Sequence, residues 1–163
     1  MDEKTKEILY ILERDAKTSR SEIATMLNLS EEEVEKRIYR LEKEGIIRRY
    51  KAVVDWEKVG EEKVYALIDV KITPARGTGY DHPAERIANF PEVRTIYLVS
   101  GEYDLTVLVE GKSMKDVAFF VAEKLAPLEQ VGGTFTHFLL KKYKEDGDII
   151  YVKEDNKRLA ITP

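Results

Sequence analysis

"SRSEIATMLNLSEEEVEKRIYRLEKEGII", residues 19–47, contains two helix starts with the same signature. In each, a serine stands three residues before a glutamate: Ser19 before Glu22, and Ser30 before Glu33. At that spacing the hydroxyl accepts from the glutamate N–H while the carboxylate returns to the serine N–H, a capping box. Ile23, Ala24 and Leu27 continue the first helix; Val34, Ile38 and Leu41 continue the second at i, i+4 and i+7. Asn28–Ser30 is a short turn between them, and Gly45 is placed to stop the second helix. Upstream, Ile8, Leu9, Ile11 and Leu12 recur at helical spacing, in a helix that ends near Asp15–Lys17. A support helix followed by two short helices about a tight turn is the helix-turn-helix pattern.

The second helix of that pair would approach DNA, yet it begins with Glu31, Glu32 and Glu33. A wheel at about 100° per residue separates its charges. Val34, Ile38 and Leu41 share the packing face, while Lys36, Arg40 and Lys43 point away from it. Glu31, Glu35 and Glu42 gather on one flank. Carboxylates in the first turn complement the helix dipole, and Glu32 and Glu33 precede Lys36 and Arg37 by four residues, the favourable order.

The rest of the composition narrows the function classes. The 163 residues carry a net charge of −4, so any basic surface must be local. Residues 1–51 hold twelve basic and twelve acidic side chains, which puts the negative excess in the remainder. The absence of cysteine excludes disulfides, thiol catalysis and cysteine-ligated metal. His82 and His137 lie in different segments, so neither a metal site nor a cofactor is expected. The N-terminal stretch "MDEKTKEILYILERD" is charged throughout, and no apolar run reaches the roughly 20 residues of a membrane span. A cytoplasmic protein is the expectation.

"IIRRYKAVVD" (46–55) is β-prone and leads through Trp56–Gly60 into a second block. There, alternation predicts strands at 63–73, 93–101, 104–111 and 133–143. Residues 73–83 read as a Gly- and Pro-rich loop; 84–90 and 113–126 read as helices. The "ARGTGYD" segment (75–81) lacks the Rossmann or P-loop pattern. The order βαββαβ predicts an α+β fold: an N-terminal helix-turn-helix (winged-helix-like) domain plus a C-terminal ferredoxin-like domain with both helices on one face of an antiparallel sheet. The other face needs a cover, for which a second copy of the domain is expected. The boundaries are 1–50 for the helix-turn-helix, 51–62 for a connecting strand and hinge, 63–147 for the ferredoxin-like domain, and 148–163 for an extension with one or two edge strands.

Three signatures in this order, "RLEKEGIIRRYKAVVD" (40–55), "VSGEYDL" (99–105) and "GGTFTHFLL" (132–140), resemble those of the Lrp/AsnC (feast/famine) transcription regulators. The ending "NKRLAIT" (156–162) is also similar to that family's C-terminal segment. The resemblance implies a sequence-specific DNA-binding regulator whose dimers assemble into tetramers, octamers or larger discs, and which senses a small molecule, typically an amino acid. Lys36, Arg37 and Arg40 would then meet the major groove or its phosphates, with Lys43, Arg48, Arg49 and Lys51 on the flanking backbone and Ser19 and Arg20 at the start of the preceding helix.

The resemblance also places Ser100, Gly101, Tyr103 and Asp104 at the effector pocket, with Thr134 and Thr136 on its other wall. The backbone near Ser100–Gly101 would hold an α-carboxylate and Asp104 an α-ammonium. Read without it, the same turn is a plain hairpin, with Gly101 at positive φ and Asp104 bonded to the turn backbone. Two other function classes compete. One is a helix-turn-helix interaction or sensor protein without DNA binding, suggested by the neutral N-terminal block. The other is an enzyme resembling the siroheme decarboxylases, which share this architecture; no nucleophile–base pair stands out to support it.

Overall fold

A computed structural model describes residues 1–74 and 79–150. Residues 75–78 of the loop expected at 73–83, and the "NKRLAIT" segment, lie outside the described residues. The chain divides into two compact units at Val53/Val54.

The first unit is three helices: α1 (Glu3–Arg14), α2 (Arg20–Leu27) and α3 (Glu31–Lys43). Both capping boxes form, with Ser19 and Ser30 each accepting from the glutamate N–H at 3.2 Å. The returning carboxylates accept from the serine N–H groups at 2.8 and 3.0 Å. Asn28 takes the left-handed conformation between α2 and α3, which asparagine tolerates better than most residues. Gly45, at φ +69°, closes α3: its N–H donates to Glu42 O at 3.0 Å and that of Ile46 to Leu41 O at 2.9 Å. This is the paired Schellman arrangement that satisfies the last carbonyls. Val34, Ile38 and Leu41 are buried as the wheel requires, and Ile8, Ile23 and Ala24 join Val34 and Ile38 in one core.

The second unit begins with a single helical turn, α4 (Trp56–Val59), and then β1 (Val64–Ile72), α5 (Asp81–Ala88), β2 (Val93–Leu98), β3 (Leu105–Gly111), α6 (Met114–Phe119) and β4 (Val131–Phe138). The strands lie in the order β2-β3-β1-β4, all antiparallel. Ala66, Ile68, Val70, Leu105, Val107 and Val109 line one sheet face and pack with Ile87, Val117, Phe120 and Leu125 from the helical layer. This is the α+β architecture expected from βαββαβ.

Several local expectations are corrected. The β-prone segment 46–55 forms no strand: among the described residues it pairs with none of the strands. The helix α5 starts at Asp81, three residues earlier than expected, with Pro83 tolerated in its first turn. Beyond Phe119 the second helix widens into a π-helix, Phe120–Leu125. In an α-helix Phe120 and Leu125 would sit about 140° apart; the wide turn brings both to the core, 3% and 0% exposed. Strand β4 stops at Phe138 rather than 143. Of the tail expected to add one or two edge strands, the described part forms a separate ribbon, β5 (Lys144–Glu145) with β6 (Asp148–Ile149), turned at Asp146–Gly147 with both φ positive; residues 151–163 lie outside the described residues. Among the described residues, no helix is long and apolar enough to cross a membrane, and no group of three His, Asp or Glu is placed to hold a metal.

Candidate nucleic-acid interface and effector loop

The face of α3 opposite Val34, Ile38 and Leu41 carries Lys36, Arg40 and Lys43, all exposed. Each of the first two has a carboxylate one turn away: Lys36 Nζ lies 2.6 Å from Glu32 and Arg40 Nε 3.9 Å from Glu44. Arg20 reaches across from α2 to Glu35 at 3.7 Å, linking the two helices. These pairs are exposed, and exposed pairs contribute little to stability, so a phosphate can replace the carboxylate at small cost. The glutamates are therefore exchangeable partners of these cations.

Arg37 departs from the expectation. Its Nη1 donates to both Asp2 carboxylate oxygens at 2.7 Å and to Thr5 Oγ1 at 2.6 Å, and its side chain is 23% exposed. Asp2 also caps α1, accepting from the Thr5 N–H at 2.8 Å. The Arg37 guanidinium, with the Thr5 donors, holds the Asp2 carboxyl well below the usual carboxylate range. Arg37 thus clamps the start of α1 to α3, and its guanidinium is not among the outward cations. Thr5, fully buried, was not singled out by periodicity; the Asp2-x-x-Thr5 cap spacing was the signal for it.

Ser19 is committed to its capping box. Arg48 and Arg49 border a groove of about 500 Å³ together with Leu9, Tyr10, Ile46 and Tyr50. Tyr50 donates its hydroxyl to Glu42 at 2.9 Å, tying the post-helix segment back to α3. Burial first, then Glu42, pushes the Tyr50 hydroxyl upward, so it remains a donor.

The turn between β2 and β3 is fastened to the end of β1. The Asp104 N–H donates to Val70 O at 3.1 Å, and Asp104 Oδ2 accepts from the Ile72 N–H at 2.9 Å. Lys71 Nζ lies 3.3 Å from the same oxygen and donates to Glu102 O at 2.7 Å. The Ile72 N–H first, and Lys71 after it, draw the Asp104 carboxyl below its ordinary value. Two details of the hairpin expectation are corrected: the Asp104 carboxylate bonds the neighbouring strand, while only its backbone carbonyl closes its own turn by accepting from the Val99 N–H at 2.9 Å, and Gly101 is not at positive φ.

Thr134 and Thr136 stand opposite Val70 and Ile68, on the helix-facing side of β4, with His137 on the other. Val70 therefore lies between the two expected walls: Thr134 pairs with it from one side and Asp104 from the other. Two strand spacings, about 10 Å, separate them. The walls share one end of the sheet but lie on different sides of β1. Ser100 and Gly101 are exposed at the turn, and Tyr103 is half-buried.

The outer sheet face, away from the helices, was not resolved residue by residue from sequence. It carries Leu67, Tyr97 and Phe135, 39%, 63% and 52% exposed. At its centre Asp69 accepts from Thr106 Oγ1 at 2.7 Å and lies 3.3 Å from His137 Nε2. Cross-strand register places these residues on one surface: Tyr97 opposite Thr106, Thr106 opposite Asp69, Asp69 opposite Phe135.

The comparisons with known proteins agree with both halves. Residues 1–48 match a winged helix-turn-helix DNA-binding domain, and residues 65–149 match the Lrp/AsnC ligand binding domain. The chain is similar to YugG, an HTH-type transcriptional regulator of Bacillus subtilis: 49% identity over 164 residues, covering 100% of this chain and 99% of that protein. It is also similar to the HTH-type transcriptional regulator FL11 of Pyrococcus furiosus, 30% identical over 91% of this chain and 95% of that one. Among solved structures, the transcriptional regulator NMB0573 of Neisseria meningitidis in complex with L-Met superimposes with a TM-score of 0.71 at 26% identity, over 89% of this chain and 93% of that chain. The leucine response regulatory protein LrpA of Mycobacterium tuberculosis does so at 0.74 and 25%, over 93% and 100%.

Proposed function

The chain belongs to the Lrp/AsnC family of helix-turn-helix transcriptional regulators, and from that premise we propose that it reads DNA with the Lys36, Arg40 and Lys43 edge of α3. The observation that carries this reading is the division of α3: one face sealed into the core, the opposite face cationic and exposed. Arg20, Arg48 and Arg49 add backbone contacts around that edge. Three outward cations on one helix give modest affinity per subunit, so binding by an assembled dimer, in which two modules share one DNA, supplies the rest.

The outer sheet face is the proposed dimer surface. Leu67, Tyr97 and Phe135 give it an apolar centre, and a second copy would bury them by a two-fold contact. The relative from Neisseria meningitidis is a complex with L-Met. By that likeness, an amino acid is the proposed effector class here, acting at the Ser100–Asp104 turn with Thr134 and Thr136. Assembly beyond the dimer belongs to the same proposal.

Selection of bound fragments from a genomic library, with and without pooled amino acids, tests the reading. A recurring sequence motif whose recovery changes with amino acids is the expected result. Fragments without a common motif would contradict it.

A further inference from the structure

Trp56, the sole tryptophan of the chain, opens α4, whose N-cap Asp55 accepts from the Lys58 N–H at 3.3 Å and pairs with Lys58 Nζ at 3.3 Å. Trp56 and Tyr65 of β1 wall a cavity of about 90 Å³, closed on its apolar side by Val54, Leu139, Leu140 and Ile150. It uses none of Ser100, Gly101, Tyr103, Asp104, Thr134 or Thr136.

A lysine ammonium sits over each ring. Lys63 Nζ is 3.9 Å from the Trp56 ring centre and 3.1 Å from Glu110 Oε1. Lys142 Nζ is 3.6 Å from the Tyr65 ring centre and 2.5 Å from Glu145 Oε2. Their side chains are only 22% and 23% exposed. A lysine is ordinarily a mobile, fully hydrated charge with three donors; here a ring and a carboxylate have already fixed and partly dehydrated each one. A ligand meeting them bears little further ordering cost.

The acids around the cavity are engaged or peripheral. Glu110 and Glu145 serve the two lysines, Asp55 serves Lys58 and the α4 cap, and Glu57 and Glu61 stand at exposed positions. Burial first, then Glu110, pushes the Tyr65 hydroxyl up to about 12, so it stays protonated and adds no charge.

We propose that this cavity binds a small organic carboxylate, its carboxylate between Lys63 and Lys142 and its apolar body against Trp56 and Leu139. A volume of about 90 Å³ accommodates roughly six water-sized positions, which limits the ligand to a few heavy atoms beyond the carboxylate. One wall, Val54 to Glu57 with Glu61, lies at the start of the second unit.

Trp56 being the sole tryptophan, its fluorescence reports this cavity alone, and the readout is independent of DNA binding. The full chain is titrated with isovalerate, with isopentylamine as the cationic counterpart and leucine as the zwitterion. A saturable change with isovalerate is expected, with no response to the amine and a weaker one to leucine. Lys63→Met and Lys142→Met should each weaken isovalerate at least about tenfold, the loss of one charge-assisted contact. Lys142→Arg should retain binding, and Asp104→Ala should leave it unchanged. Circular dichroism confirms that each variant is folded. No saturable response, an amine or leucine response as strong as that of isovalerate, or undiminished affinity in both folded methionine variants would overturn the proposal.

Discussion

Arg37 and Lys36 are adjacent basic residues on one helix, and the structure gives them opposite tasks. Lys36 pairs with a carboxylate on its own helix and stays 72% exposed, whereas Arg37 turns inward to Asp2 and Thr5. Arg37→Ala is expected to lower the melting temperature of the helical unit by several degrees, because Thr5 and the α1 cap lose their shared partner. Lys36→Ala with Arg40→Ala should leave the melt unchanged, since exposed pairs contribute little; calorimetry on the three proteins checks both.

A pH dependence follows from the same carboxylates. Asp2, Glu22, Glu33 and Asp104 all titrate below their ordinary values when folded. Their stabilisation is fully present above the unfolded carboxylate values, about 4, and is lost as pH falls through the lowered ones. Melts from neutral pH downward should be flat to about pH 5 and then decline, and Asp2→Asn should make the decline shallower. Spacing within a helix made the cationic edge legible, along with both capping boxes. It could not show that Arg37 has a partner 35 positions away, because a helical wheel contains no information about neighbouring elements.

At the scale of elements, the sequence was most legible where one residue type has one use. Gly45 closes α3 at positive φ; Gly45→Ala should cost about 1–2 kcal/mol by denaturant titration, the penalty for an L side chain there. Gly111 was not singled out, since its requirement comes from a neighbour. A Cβ there would meet Val117 Cγ2 at 3.0 Å and Ser113 O at 3.3 Å, where β3 passes into α6. Gly111→Ala should therefore destabilise the second unit by about 1–3 kcal/mol through overpacking.

Elements were misjudged where the deciding partner is remote or absent. Residues 46–55 have strand propensity, but propensity yields a strand only with a ladder to join. The π-helix follows from the need to bury both Phe120 and Leu125, a demand set by the sheet beneath rather than by local spacing. The Ser100–Asp104 turn, the proposed effector site, was legible as a turn, and its fastening to β1 through Asp104 was not.

The whole molecule pairs a neutral helical unit with an acidic sheet unit, so the proposed DNA binding rests on local placement of cations and on the proposed assembly. The sheet face opposite the helices is the proposed site of that assembly. Leu67→Asp with Phe135→Asp places two carboxylates at its centre and should give a monomer by light scattering; an unchanged mass would move the dimer surface elsewhere. The same variant should lose DNA affinity out of proportion to any change in α3, since two linked modules bind far more tightly than one.

The most direct measurement is the salt dependence of binding to a recovered DNA fragment, for the unaltered chain and for Lys36→Ala with Arg40→Ala. Each phosphate contact contributes about 0.9 to the slope of log affinity against log salt. A steep slope is expected for the unaltered chain, and a weaker, shallower dependence for the variant, lower by about two contacts per subunit. An unchanged slope and affinity in the variant would contradict the assignment of this edge of α3 to DNA.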